Sequence, residues 1–341
     1  MLRYLLFVTK PYSISVLQPV ADFINGRDDA VMWYMGGSVR DMSAPGPALR
    51  SNLDVLDYQP QAILVPGNVV PYYWPGLKVQ LFHGLGEEKS GHYRVTGFFD
   101  LYCTPGPYIT RRFEQLARKH GHFFVRETGW PKLDRMSNIA SIGSAKTKFG
   151  LDATDKVILY APTFSPRFSS AADLLPAVKT LATGPYRWII KFHDLMDKEL
   201  AEDYRQALGS RAIFPSTPDI IPLLEAADIM LTDTSSVAYE FLPLDRPIIT
   251  YRATARVDKG INITRADELG NGIQRSIDQP CEYSNKRHQY LAELHPYNDG
   301  KSASRVIAAI DEVANLDSME GLKSKPLNLF RKWQIRRMDL I

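Results

Sequence analysis

Cysteine is nearly absent from this chain of 341 residues: Cys103 and Cys281 are the only two, far apart in sequence. No disulfide framework can be built from them, so a reducing compartment is expected, with both thiols structural. Excess charge of one sign is missing too, since 41 basic residues stand against 38 acidic ones. That balance lacks the electrostatic footprint of a nucleic-acid binder. No apolar run reaches the length of a membrane span. The nearest imitation of a secretory leader, residues 2–8, is cut short by Lys10 and Pro11 and has no small-residue cleavage site after it. It reads as a first buried strand, and the chain is expected in the cytoplasm. No Gly-Lys-Ser/Thr phosphate loop occurs, and Gly84-Leu85-Gly86 is an incomplete dinucleotide fingerprint. ATP hydrolysis and NAD-linked redox chemistry therefore lose their usual supports.

What is present is an α/β pattern, short apolar runs alternating with amphipathic stretches. Strands are expected at 4–8, 31–35, 62–65, 79–82, 101–103 and 123–125, with helices at 15–25 and 107–119. A polar stretch from Asp134 to Asp155, containing Ser137, Asn138, Ser141, Gly143 and Ser144, then separates a second series. Its strands are expected at 157–160, 188–191, 212–214, 229–232 and 248–251, its helices at 171–181, 197–207 and 218–225. The expected domains are 1–145 and 146–315, both doubly wound and Rossmann-like and facing a central cleft, followed by a basic tail at 316–341.

The most informative stretch runs from Ala227 to Tyr251. It reads as a strand ending at Thr232, a polar turn Asp233-Thr234-Ser235-Ser236, a short helix at 237–242 and a second strand. A helix starting there offers free N–H groups and a positive dipole end to a phosphate. The plain alternative is an ordinary Ser/Thr cap. Other candidates also follow expected strands, where ligands bind in doubly wound sheets. They are His83-Gly84, Thr104, Thr163, and Lys191 with His193, whose alternation puts both side chains on one strand face. His83 is placed to serve as a general base. Glu240, one turn into the helix, is expected to place a carboxylate where it could reach ribose hydroxyls. His120-Gly121-His122 has no carboxylate or cysteine nearby to complete a metal site.

Taken together, several landmarks carry a resemblance. They are His83-Gly84 with Lys89, Thr128-Gly129-Trp130-Pro131 with Asp134, Tyr160 to Phe164, Lys191-Phe192-His193, Asp228 to Glu240, and Asp299-Gly300-Lys301-Ser302 with Arg305. In this order the chain resembles the CDP-glycerol glycerophosphotransferases, the teichoic acid and poly(glycerol phosphate) primases and polymerases with a two-domain GT-B fold. The resemblance implies transfer of glycerol phosphate from CDP-glycerol to a hydroxyl acceptor, glycan or lipid-linked, in teichoic acid or capsule-like synthesis, with release of CMP. It implies His83 as catalytic base and His193, Thr234, Ser235 and Ser236 as donor pyrophosphate contacts. Glu240 or the Asp299-Gly300 segment would hold the nucleotide, and Thr163, Lys191 and Asp233 complete the donor-binding set. No metal is required by it, although a bound Mg²⁺ is compatible. Two departures stand out: Asp194 where the family often has proline, and Ser165 where it has arginine, with Arg167 two places later. A compact priming, capsule-type or secondary-polymer enzyme is expected, since the larger polymerases carry an additional N-terminal domain.

Two other readings remain open on sequence. One is a GT-B nucleotide-sugar glycosyltransferase or UDP-sugar 2-epimerase, and the other a non-catalytic nucleotide-binding subunit. For the tail, basic residues mixed with Leu327, Leu329, Phe330, Trp333 and Ile335 fit a helix lying in an anionic membrane surface. They fit equally a helix packed back across the two domains.

Overall fold

A computed structural model describes residues 1–86, 93–136, 142–315 and 322–338. Lys89, the linker residues Ser137, Asn138 and Ser141, and parts of the 316–341 tail lie outside the described residues. The chain divides into two compact units, Met1–Ser137 with Glu293–Ile341, and Asn138–Ala292.

The first unit is built on seven strands: β1 Arg3–Val8, β2 Ala30–Met35, β3 Ala48–Leu49, β4 Ala62–Val65, β5 Leu77–Gln80, β6 Leu101–Thr104 and β7 Phe124–Glu127. They lie in the order β3-β2-β1-β4-β5-β6-β7, every pairing parallel. The central strands are apolar without alternation because helices cover both faces; β4 is buried at all four positions. An aromatic cluster fills part of this core, with Phe7 5.1 Å from Trp74, Tyr34 4.9 Å from Trp74, and Tyr102 4.8 Å from Phe113.

The second unit carries β8 Val157–Tyr160, β9 Arg187–Ile190, β10 Ala212–Ile213, β11 Ile229–Thr232, β12 Ile248–Tyr251 and β13 Ile261–Ile263. Their order, β10-β9-β8-β11-β12-β13, is again parallel throughout. The order reverses between β8 and β11, which fixes the crevice where doubly wound sheets bind ligands. The expected pair of doubly wound sheets is therefore what the chain forms.

Where the sequence reading assigned 146–315 to one domain, the chain returns to the first unit at Glu293. The reason is the Ser302–Asn315 helix, which buries Val306, Ile307 and Ile310 against the Tyr12–Asn25 helix and β6. Asp134 caps it, accepting from the backbone N–H groups of Ser302 (2.9 Å) and Ala303 (2.7 Å). Cys103 is buried as expected of a structural thiol, but Cys281 is exposed. Among the described residues no helix is long and apolar enough to cross a membrane.

Candidate active site

In the first unit, β5 ends at Gln80 rather than at 82, so His83 stands three residues beyond the strand. Phe82 makes the turn with φ 60°, a left-handed conformation that strains a bulky residue by about 1–3 kcal/mol. Two contacts hold it there. The Phe82 ring meets Phe113 edge-on at 5.0 Å, and its carbonyl accepts from the Trp130 indole N–H at 3.2 Å. The chain therefore leaves the strand with Phe82 locked inside and His83 half-buried beside Tyr12, ring centroids 6.0 Å apart. Tyr12 itself follows β1, so both side chains sit at the carboxyl edge of this sheet.

Trp130 belongs to the Thr128-Gly129-Trp130-Pro131 landmark, which ties the first unit together. Gly129 has φ +81°, and a Cβ there would lie 2.4 Å from the Ser302 hydroxyl. Only glycine lets the 302 helix come so close. Asp299 and Gly300, expected at the donor nucleotide, lie in this same unit and not with the Asp233 turn. The Asp299 carboxylate pairs with Arg305 and accepts from the Lys301 N–H at 3.1 Å. Gly300 supplies the positive φ, +66°, that leads into the helix.

The second unit assembles its candidates around Asp233, which is 1% exposed. Its carboxylate accepts from the Thr163 N–H at 2.9 and 3.1 Å, and from the Ser170 N–H and hydroxyl, both at 2.9 Å. Burial pushes its pKa up, while these donors pull it back. The carboxylate, read from sequence as a donor contact, thus braces the 163–170 loop across the β8–β11 switch point. Thr163, 9% exposed, is fixed through its N–H.

Thr234, Ser235 and Ser236 follow Asp233 half-buried. The helix they lead into, Val237–Glu240, has four residues before a 3₁₀ turn at Leu242–Leu244, and Ser236 makes no side-chain cap. So short a helix contributes little dipole, and whatever these residues offer a phosphate comes from hydroxyls and nearby N–H groups. Glu240 is 6% exposed, which keeps its carboxylate inside the unit.

Lys191 and His193 do not alternate along a strand, because β9 ends at Ile190. Lys191 is half-buried; burial lowers its pKa and Asp194 raises it. His193 is exposed and lies 4.4 Å from the Phe164 ring. Its Nδ1 accepts the Leu195 N–H at 3.0 Å, so in the neutral ring Nε2 carries the proton. A continuous path links His193 through Phe164 and Thr163 to Asp233 and Thr234. Phe164 closes the Tyr160 to Phe164 landmark, but its packing against His193 and the part played by Ser170 have no signal in the sequence. Among the described residues no group of three His, Cys, Asp or Glu is placed to hold a metal ion.

The family model for CDP-glycerol:poly(glycerophosphate) glycerophosphotransferase matches residues 87–312, more than half of the chain. The chain belongs to this glycerophosphotransferase family. The match spans the Asp233 turn and the Asp299 segment, while His83 stands just ahead of it. The teichoic acid glycerol-phosphate primase of Bacillus spizizenii is 36% identical over 162 residues, 46% of this chain and 41% of that protein. The teichoic acid glycerol-phosphate transferase of Staphylococcus aureus is 28% identical over 254 residues, 65% of this chain and 63% of that one. The matches thus span less than two thirds of these relatives. Among solved structures, the wall teichoic acid polymerase TagF in a CDPG-soaked variant superposes with TM-score 0.68 at 19% identity, covering 92% of this chain and 89% of that one. The S. aureus MnaA–UDP structure gives TM-score 0.66 at 15% identity, covering 96% and 100%. These likenesses confirm the GT-B-like fold of the family member, which polymerase and MnaA share.

Proposed function

We propose that this glycerophosphotransferase moves glycerol phosphate from CDP-glycerol to a hydroxyl acceptor in teichoic acid or a related surface polymer. The acceptor oxygen attacks the phosphorus that carries glycerol, the bond from that phosphorus to the bridging oxygen breaks, and CMP leaves. His83 takes the proton from the attacking hydroxyl. Lys191, His193 through Nε2–H, and the hydroxyls of Thr234, Ser235 and Ser236 neutralise the pyrophosphate, since phosphoryl transfer depends on positioning and charge stabilisation. No metal is assigned a step. The observation that carries this reading is the path from His193 to Thr234, which puts a proton-donating imidazole and a hydroxyl-rich turn on one braced edge of the second sheet.

The acceptor is proposed to be lipid-linked, with the enzyme in the cytoplasm and peripheral on the inner face of the plasma membrane. Exposed Leu327, Leu329, Phe330 and Trp333 in the tail support this.

The test is a donor screen by thermal shift and nucleotide release with CDP-glycerol, CDP-ribitol and UDP-sugars. A CDP-polyol is expected to stabilise the protein and release CMP on adding acceptor. His83→Ala is expected to lower turnover by about 10²-fold or more with donor affinity unchanged. His193→Ala is expected to weaken donor binding itself. Stabilisation by a UDP-sugar alone would move the chain to the sugar-transferring or epimerising branch of the fold. Binding without turnover would leave a nucleotide-binding subunit.

A further inference from the structure

The Leu329–Arg337 helix packs one face on the first unit and leaves the other bare. Ile335, 5% exposed, enters the aromatic core, and the Arg331 guanidinium donates to the Thr96 carbonyl at 2.9 Å. Leu329 (71%), Phe330 (68%), Trp333 (50%) and Met338 (45%) remain in solvent. Large apolar side chains exposed side by side mark an interaction surface.

Next to this face lies a cavity lined by Asn52, Tyr73, Ile335, Arg336 and Met338. Its far wall comes from the Asn52–Tyr58 helix, a part of the chain that the sequence did not connect with the tail. That helix also exposes apolar groups, Leu53 at 70% and Leu56 at 38%, and Leu56 shares a face with Asn52 at i, i+4. The walls are fixed. The Asn52 side chain accepts from the Trp74 indole at 2.8 Å, and Tyr72 meets Tyr73 edge-on at 5.2 Å. The Lys332 ammonium and the Arg336 guanidinium lie over Tyr72 at 5.1 and 5.7 Å.

The charge is one-sided. Residues 322–338 hold no acid and six cations. Lys325 is paired with Asp100, whereas Lys323, Arg331, Lys332, Arg336 and Arg337 have no carboxylate partner among the described residues. On the facing helix Asp54 is occupied by its own capping box with Ser51, which leaves exposed Asp57 as the acid of that helix. Leu329, Trp333 and Arg336, at i, i+4 and i+7, form a stripe that runs from bare apolar surface to a cation at the cavity.

We infer that this cavity is a lipid site, in which Arg336 holds the phosphate of an anionic phospholipid at a bilayer surface while Leu329, Phe330, Trp333 and Met338 enter its acyl region. Charge complementarity selects the occupant: a protein partner would need to be both acidic and apolar, whereas an anionic bilayer presents the two together. The inference deepens the peripheral attachment proposed above by naming its residues and its lipid class.

Tryptophan fluorescence isolates the site in the unmodified chain. Of the five tryptophans, Trp33, Trp74, Trp130 and Trp188 are no more than 2% exposed, leaving Trp333 accessible. The full chain is mixed with vesicles of phosphatidylcholine alone, or with phosphatidylglycerol added, each in ordinary and chain-brominated form. Flotation and bromine quenching are expected with phosphatidylglycerol and not with phosphatidylcholine alone. Arg336→Ala is expected to weaken partitioning about fivefold, more than Arg118→Ala, a surface cation on a different helix. Phe330→Ser with Trp333→Ser is expected to abolish flotation, and inorganic phosphate at millimolar concentration is not expected to displace the chain. Equal flotation of the Arg336 and Arg118 variants, absence of quenching, or release by phosphate would each overturn the inference. Donor-stimulated CMP release onto a soluble hydroxyl acceptor is read separately, so a failed lipid site and a failed transferase assignment give different results.

Discussion

The two units place their candidate groups by different physical means. In the first, His83 is delivered by a strained backbone: Phe82 is held at positive φ by aromatic packing and one indole hydrogen bond. In the second, a buried carboxylate does the work, with Asp233 gathering three donors from two residues that lie far from it in sequence. Packing is graded, so the first arrangement should weaken gradually when trimmed. A buried carboxylate with committed donors is all or nothing, since removing it leaves those donors unpaired in a dry interior.

The sharpest way to break this contrast is Asp233→Ala. It strands the N–H groups of Thr163 and Ser170 and is expected to cost about 3 kcal/mol, roughly 6–12 °C in the melting of a unit this size. CDP-glycerol binding is expected to fall with it, and Asp233→Asn, which keeps one acceptor oxygen, should lose less on both counts. If Asp233→Ala melts normally and binds donor normally, the brace does not hold the turn.

A second test sets the units apart by pH. His295, in the first unit, is 2% exposed, and burial pulls its pKa from 6.5 to about 4. The unfolded chain therefore binds this proton first, so stability is complete above pH 6.5 and falls as pH drops toward 4, where the loss levels off. The loss amounts to at most about 3 kcal/mol. Hydrogen exchange is expected to show the first unit loosening over that window, and His295→Asn is expected to flatten the slope. An unchanged slope in the variant would assign the acid sensitivity elsewhere.

The smallest effect belongs to Trp130→Phe, which removes the bond to the Phe82 carbonyl and retains most of the ring. About 1 kcal/mol of stability is expected to go, with a several-fold drop in turnover and no change in donor affinity. A loss of donor affinity instead would dissolve the proposed division of labour between the units.

How far the sequence revealed these arrangements depended on the range of the interaction. All but two strands of the sheets are legible because each is a short apolar run read one residue at a time. The exceptions are β13, Ile-Asn-Ile at 261–263, and β3, only Ala48 and Leu49, both too short to carry a period. The helix after β3 announced itself in the spacing of Ser51 and Asp54, a capping box that could have been read. Of the candidate site, the residue types and their strand-end positions were visible, but their partners were not. Nothing near Asp233 in the chain points to Ser170, and nothing near Asp134 points to Ser302, since those pairings exist only once the loops have met. For the same reason sequence order groups Asp299 with the second series, whereas its neighbours in space belong to the first unit.

That return of the chain at Glu293 makes the second unit an insertion within the first, and it orders events during synthesis. By the time Ala292 has been made, every residue of the second unit is available, whereas the first still lacks the helix that covers Tyr12–Asn25 and β6. A nascent chain arrested at that point would present a finished module tethered to a partly uncovered one. Protease digestion of such arrested chains is expected to spare residues of the second unit and cut within the first, so the Tyr12–Asn25 helix, the first to emerge, is among the last to be covered.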